Sequence, residues 1–90
     1  MSFEVIVHKN VRKAMVGLPK VRLKQIDKLL AILENDPVPY KFFDVTRIEG
    51  YHGLYRVRLG LLRITYEVDE SLMRIKLLDL DPRGKAYKKL

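Results

Sequence analysis

Gly53-Leu54-Tyr55-Arg56-Val57-Arg58-Leu59-Gly60-Leu61-Leu62-Arg63-Ile64-Thr65-Tyr66-Glu67-Val68 is the stretch whose reading decides the fold. Apolar and polar side chains alternate on both sides of Gly60-Leu61, which is the period of a half-buried strand. Residues 54–59 therefore read as one strand and 62–68 as a second. Gly60-Leu61 between them fits a two-residue type II′ hairpin turn, with glycine in its first position. A further β-prone run at 72–79 follows a turn at Glu70-Ser71, so an antiparallel meander of three strands is expected. The turn sets the register: Leu59 faces Leu62, Arg58 faces Arg63, Val57 faces Ile64, Arg56 faces Thr65 and Tyr55 faces Tyr66. One face then carries Tyr55, Val57, Leu59, Leu62, Ile64, Tyr66 and Val68 and is the core. The other carries Arg56, Arg58, Arg63, Thr65 and Glu67, with Arg74 expected opposite Glu67 and Lys76 opposite Thr65.

Working back toward the N-terminus, residues 40–53 read as a loop anchored by Tyr40, Phe42 and Phe43, with a brief extended piece at Val45–Ile48. Before it, Leu23, Ile26, Leu30 and Leu33 recur at helical spacing from about Lys20, and Asn35, Asp36, Pro37 and Pro39 end that helix. A shorter helix carries Val11, Ala14, Met15 and Leu18, and stops at Gly17 and Pro19. The short connection makes the two an αα-hairpin. Residues 3–8 form a first strand. The expected fold class is α+β: an N-terminal strand and an αα-hairpin packed on an antiparallel β-meander, in one domain spanning residues 1–90.

The composition narrows the function classes. With no cysteine among 90 residues, disulfide frameworks and thiolate zinc sites are excluded, and a reducing cytoplasm is the expected location. The N-terminal apolar run, broken by Glu4, is too short for a signal peptide, and no stretch reaches the roughly 20 apolar residues of a membrane span. Eighteen basic residues against eleven acidic ones give a net charge of +7, which points to a polyanionic partner, nucleic acid before an acidic protein or a membrane surface.

Arg58 directly opposite Arg63, with Arg56 nearby, is an arrangement that folding alone disfavours, because like charges facing each other across a sheet repel. An anion between the guanidiniums removes the repulsion, and arginine is the side chain best shaped to grip a phosphate. The alternative is a solvated face on which Glu67 and the C-terminal carboxylates offset the arginines. The C-terminus adds Arg83, Lys85, Tyr87, Lys88 and Lys89, in which Tyr87 can stack on a base while the cations hold phosphates, or else pack its ring on the sheet edge. Arg74, Lys76, Lys85, Lys88 and Lys89 are the expected RNA-binding residues around that centre. His8 and His52 are not brought together by anything in the sequence, and Asp79, Asp81 and Glu67 lie in surroundings too cationic for a metal.

Three segments together resemble the RelE/ParE toxin superfamily, and within it the RelE branch: Leu33-Glu34-Asn35-Asp36-Pro37; Ile48-Glu49-Gly50 with Gly53-Leu54-Tyr55-Arg56-Val57-Arg58-Leu59-Gly60 and Arg63-Ile64-Thr65-Tyr66; and Pro82-Arg83-Gly84-Lys85-Ala86-Tyr87. The resemblance covers nearly the whole chain. It implies a type II toxin that enters the ribosomal A site and cuts mRNA there. The mRNA 2′-hydroxyl attacks the adjacent phosphate, with neither metal nor cofactor, and a cognate RelB-type antitoxin restrains the toxin. The matching catalytic positions are Arg56, Arg58, Arg63, Arg83 and Tyr87. Arg63 is expected to clamp the phosphate, Arg83 to stabilise the leaving oxygen and Tyr87 to orient a base. Some members of the family carry lysines where this chain has Arg56 and Arg58, and arginine is a poor general base. Catalysis is therefore expected to come from positioning and from stabilising the phosphorane charge. The competing readings are a ParE-like gyrase poison, a non-catalytic RNA-binding module and a domain whose basic face docks an acidic helix.

Overall fold

The two helices lie where the apolar spacing predicts them, except that the first closes at Met15 and leaves Leu18 in the connection to the second. The computed structural model describes residues 2–82, and in it the chain runs β1 (Glu4–Val7), α1 (Lys9–Met15), α2 (Lys20–Leu33), β2 (Asp44–Arg47), β3 (Leu54–Leu59), β4 (Leu62–Asp69) and β5 (Arg74–Asp81). His8 caps α1, its Nδ1 accepting the Asn10 N–H at 3.1 Å, which satisfies one of the orphan donors of the first turn. Along α2, Ile26, Leu29 and Leu33 are fully buried at spacings of three and four residues, so one stripe of the helix faces the sheet.

The fold is α+β with a five-stranded sheet of order β1-β5-β4-β3-β2. The β3–β4 hairpin has the register that a two-residue turn dictates, Leu59 opposite Leu62 and Arg58 opposite Arg63. Gly60 has φ +67 and Leu61 is not among the positive-φ residues, which suits a type II′ turn and excludes type I′. β1, for which the sequence names no partner, joins the sheet in parallel beside β5, Val5 opposite Ile75. Two expectations are corrected. The β4–β5 connection is the four residues 70–73 rather than a turn at Glu70-Ser71, and β5 runs two residues later than the expected 72–79. The Asp69 carboxylate organises that loop, accepting from Ser71 Oγ at 2.8 Å and from the Leu72 N–H at 3.2 Å.

The second correction follows from the first. Arg74 faces Asp69, and Lys76 faces Glu67, instead of Glu67 and Thr65. Farther along, Tyr66 pairs with Leu77 and Thr65 with Asp79, so Leu78 is the extra residue of a β-bulge. The bulge resets the alternation. Ile75 and Leu77 are buried before it and Leu80 after it, whereas an unbroken alternation from Leu77 would have turned Asp79 and Asp81 into the core.

Tyr66 sits at the centre of the core, fully buried, its ring stacked on Tyr55 at a centroid distance of 5.6 Å. Its hydroxyl donates to the Pro37 carbonyl at 2.8 Å and so ties the segment after α2 to the middle of the sheet. Burial, with Tyr55 adding to it, pushes the phenol well above the ordinary tyrosine value.

Candidate functional site

The candidate site is the face of the sheet turned away from the helices. The register lines up Asp44, Arg58, Arg63 and Asp81 in one row across β2, β3, β4 and β5. The next row on the same face is Thr46, Arg56, Thr65 and Asp79. In a two-residue hairpin the pair beside the turn exchanges both backbone hydrogen bonds. Arg58 and Arg63 therefore occupy the close-spaced position, with Cα atoms about 4.5 Å apart. Arg56, Arg58 and Arg63 thus occupy neighbouring positions on one face of the hairpin.

Arg58 Nε lies 3.6 Å from Asp44 Oδ2, with the two side chains 53% and 62% exposed. Nothing local in the sequence assigns Asp44 to this face, because it belongs to a short edge strand whose pairing depends on β3. At the other end of the row the bulge delivers Asp81 opposite Arg63. The offsetting carboxylates are thus Asp44 and Asp81, set directly beside the arginines, while Glu67 stands opposite Lys76.

The remaining expected residues fall in different places. Arg74 is flanked in register by Glu4 and Asp69, and its Nε donates to Glu4 Oε1 at 3.2 Å. Lys76 is exposed between Glu67 and Ile6. Arg83, Lys85, Tyr87, Lys88 and Lys89 lie outside the described residues. His8 is engaged in capping α1 beside β5, while His52 lies in the β2–β3 loop at the opposite side of the sheet. There His52 lines a groove of about 710 Å³ with Tyr40, Arg47, Tyr55 and Ser71. Among the described residues no group of three or more acidic or histidine side chains is placed to hold a metal ion. None of the described helices is long and apolar enough to cross a membrane.

The net positive charge is distributed differently from the arginine patch. Residues 34–82, which build β2 to β5, hold seven basic and nine acidic residues. Residues 9–33, the helical hairpin, hold seven basic residues and one acid, Asp27. On α2, Lys20, Lys24 and Lys28 are exposed at successive i, i+4 positions, a stripe with a lysine about every 6 Å. Lys9, Arg12 and Lys13 are exposed on α1, and among the described residues none of these six cations forms an ion pair. The i, i+4 spacing of these lysines is legible in the sequence itself.

No protein-family model matches the chain. Among curated proteins it is 37% identical over 90 residues to the Methanocaldococcus jannaschii protein named as toxin RelE1, covering 98% of each chain. Among solved structures it matches the archaeal RelE–RelB complex from Pyrococcus horikoshii with a TM-score of 0.85 and 43% identity, covering 96% of this chain and 100% of that one. It matches the RelB–RelE antitoxin–toxin complex from Methanococcus jannaschii with a TM-score of 0.78 and 25% identity, covering 94% and 98%. A free-state variant of Escherichia coli RelE shares the fold, at a TM-score of 0.76 and 15% identity, over 96% of this chain and 88% of that one. With near-complete coverage in sequence and in fold, the chain belongs to the RelE family of toxins.

Proposed function

We propose that this RelE-family chain is an endoribonuclease that cuts mRNA in the ribosomal A site, acts in the cytoplasm and is held inactive by a RelB-type antitoxin. The observation that carries the reading is the directly opposed Arg58–Arg63 pair, with Arg56 on the same open face. In the reaction the substrate's 2′-oxygen bonds to phosphorus, the bond to the 5′-oxygen breaks, and a 2′,3′-cyclic phosphate and a 5′-hydroxyl result. The proton lost from the 2′-hydroxyl passes to solvent, and the leaving oxygen takes one up. Arg63 and Arg58 grip the phosphate and stabilise the charge that grows on its oxygens, with Arg56 steering the approaching strand. Arg83 and Tyr87 complete the site by serving the leaving oxygen and a neighbouring base. Lys85, Lys88 and Lys89, with Lys76 and Arg74, contact flanking phosphates.

The lysine stripe of α2 supports a partner with a large phosphate surface, because it lies on the side of the sheet opposite the arginine patch and one short strand of mRNA does not span both. The ribosome presents such a surface. The antitoxin follows from the RelB chains of the archaeal complexes that this chain resembles.

Primer extension on a defined mRNA in a reconstituted translation reaction tests the proposal. Ribosome-dependent cuts that vanish with an Arg63→Ala/Arg83→Ala variant are expected. A folded, toxic protein that makes no cuts would shift the reading to gyrase inhibition, and one that is neither toxic nor cutting would shift it to an RNA-binding module.

A further inference from the structure

The row Asp44–Arg58–Arg63–Asp81 holds two positive and two negative charges, so the centre of the proposed RNA site is self-neutralised in the free protein. We infer that Asp44 is a competing carboxylate that occupies Arg58 until a phosphate displaces it, and that this exchange weakens the hold of the arginine patch on free RNA. The part of this inference that concerns cleavage rests on the proposed ribonuclease reading; the part that concerns binding does not.

The geometry suits exchange rather than permanent pairing. The contact is made through Arg58 Nε at 3.6 Å, longer than a hydrogen bond, and both side chains are more than half exposed. Exposed pairs of this kind are weak and reopen readily. Asp44 is the first residue of the edge strand β2, so its side chain can swing away without disturbing the core. While in place it relieves the repulsion that Arg58 feels from Arg63 across the hairpin.

A carboxylate and a phosphodiester each carry one negative charge. Replacing one by the other at Arg58 changes the local charge little, so a short free strand gains little from this arginine. The gain appears when the strand is already held by other contacts and its phosphate is delivered at high local concentration. Competition between Asp44 and RNA thus biases the patch toward a strand that other contacts already hold.

Anisotropy of a short labelled oligouridine, titrated with the full-length protein over a series of salt concentrations, tests this directly. Asp44→Asn keeps the shape of the side chain and removes its charge. It is expected to tighten binding about three- to fivefold at low salt. It should also steepen the salt dependence by about 0.7 in log–log slope, the increment for one added phosphate contact to a single strand. Asp44→Glu should restore the wild-type slope, and adding Arg58→Ala to Asp44→Asn should abolish the gain. A merely structural role for Asp44 would move the melting temperature and leave the slope unchanged. Unchanged or weaker binding by a folded Asp44→Asn protein overturns the inference. Tighter binding with no cleavage of any RNA upholds it and removes the ribonuclease reading instead. Cleavage of ribosome-bound mRNA with no change in oligouridine binding does the reverse.

Discussion

Replacing Tyr66 by phenylalanine should make stability depend on pH in a way that reverses the order of the two proteins. The ring is fully buried and Phe keeps its packing on Tyr55, so the substitution removes little more than the hydroxyl. The bond lost is the one donated to the Pro37 carbonyl at 2.8 Å, which contributes about 1 kcal/mol at neutral pH. For a domain of this size that corresponds to a melting temperature about 4–8 °C lower.

In alkali the sign changes. Burial raises the phenol pKa in the folded protein, while the unfolded chain keeps the ordinary value near 10. Above that value the unfolded state has released the proton and the folded state still holds it. Stability therefore falls as pH rises, and the contribution from Tyr66 is lost toward the raised folded pKa. One unit above the unfolded pKa the loss is about 1.4 kcal/mol, which exceeds the hydrogen bond. The wild type should be the more stable protein at pH 7 and the less stable one near pH 11, in urea titrations of both followed by circular dichroism. The remaining tyrosines and lysines are shared by both proteins and cancel in the difference. A gap that stays constant from pH 7 to pH 11 would refute the assignment of a buried, hydrogen-bonded phenol.

Further outcomes follow from the site and the loops. Arg63→Ala should lower the single-turnover rate on ribosome-bound mRNA by about 10²–10³-fold, the usual cost of losing a donor to developing charge, with little change in melting temperature; activity within a few-fold of wild type counts against the clamp. Reversing Lys20, Lys24 and Lys28 to glutamate takes the net charge from +7 to +1. In sedimentation assays it should weaken ribosome association and flatten its salt dependence, while oligouridine binding at the arginine patch changes much less. Gly53→Ala should destabilise by about 1–3 kcal/mol in thermal melts, because the residue has φ +75 and a Cβ there meets the Val68 carbonyl oxygen at 2.7 Å.

The period-two run around Gly60-Leu61 by itself determined the β3–β4 hairpin, its register and therefore the confrontation of Arg58 with Arg63, because a two-residue turn leaves no freedom in pairing. The apolar spacing of residues 20–33 likewise specified α2, since a helix is a local structure whose buried stripe is written in consecutive turns. Beyond the next loop that local rule lost its hold. The register of β5 depends on a four-residue connection and on the bulge at Leu78, and a bulge is selected by which side chains must be buried, not by local preference. Only the tertiary structure decided that Asp81 stands opposite Arg63 and that Arg74 meets Glu4, some seventy residues away, through a parallel pairing that no neighbouring sequence can announce. Asp44 is the same case in miniature. A four-residue strand has too short a pattern to declare its partner, and its carboxylate acquired a role only when β3 had fixed where the edge of the sheet would lie.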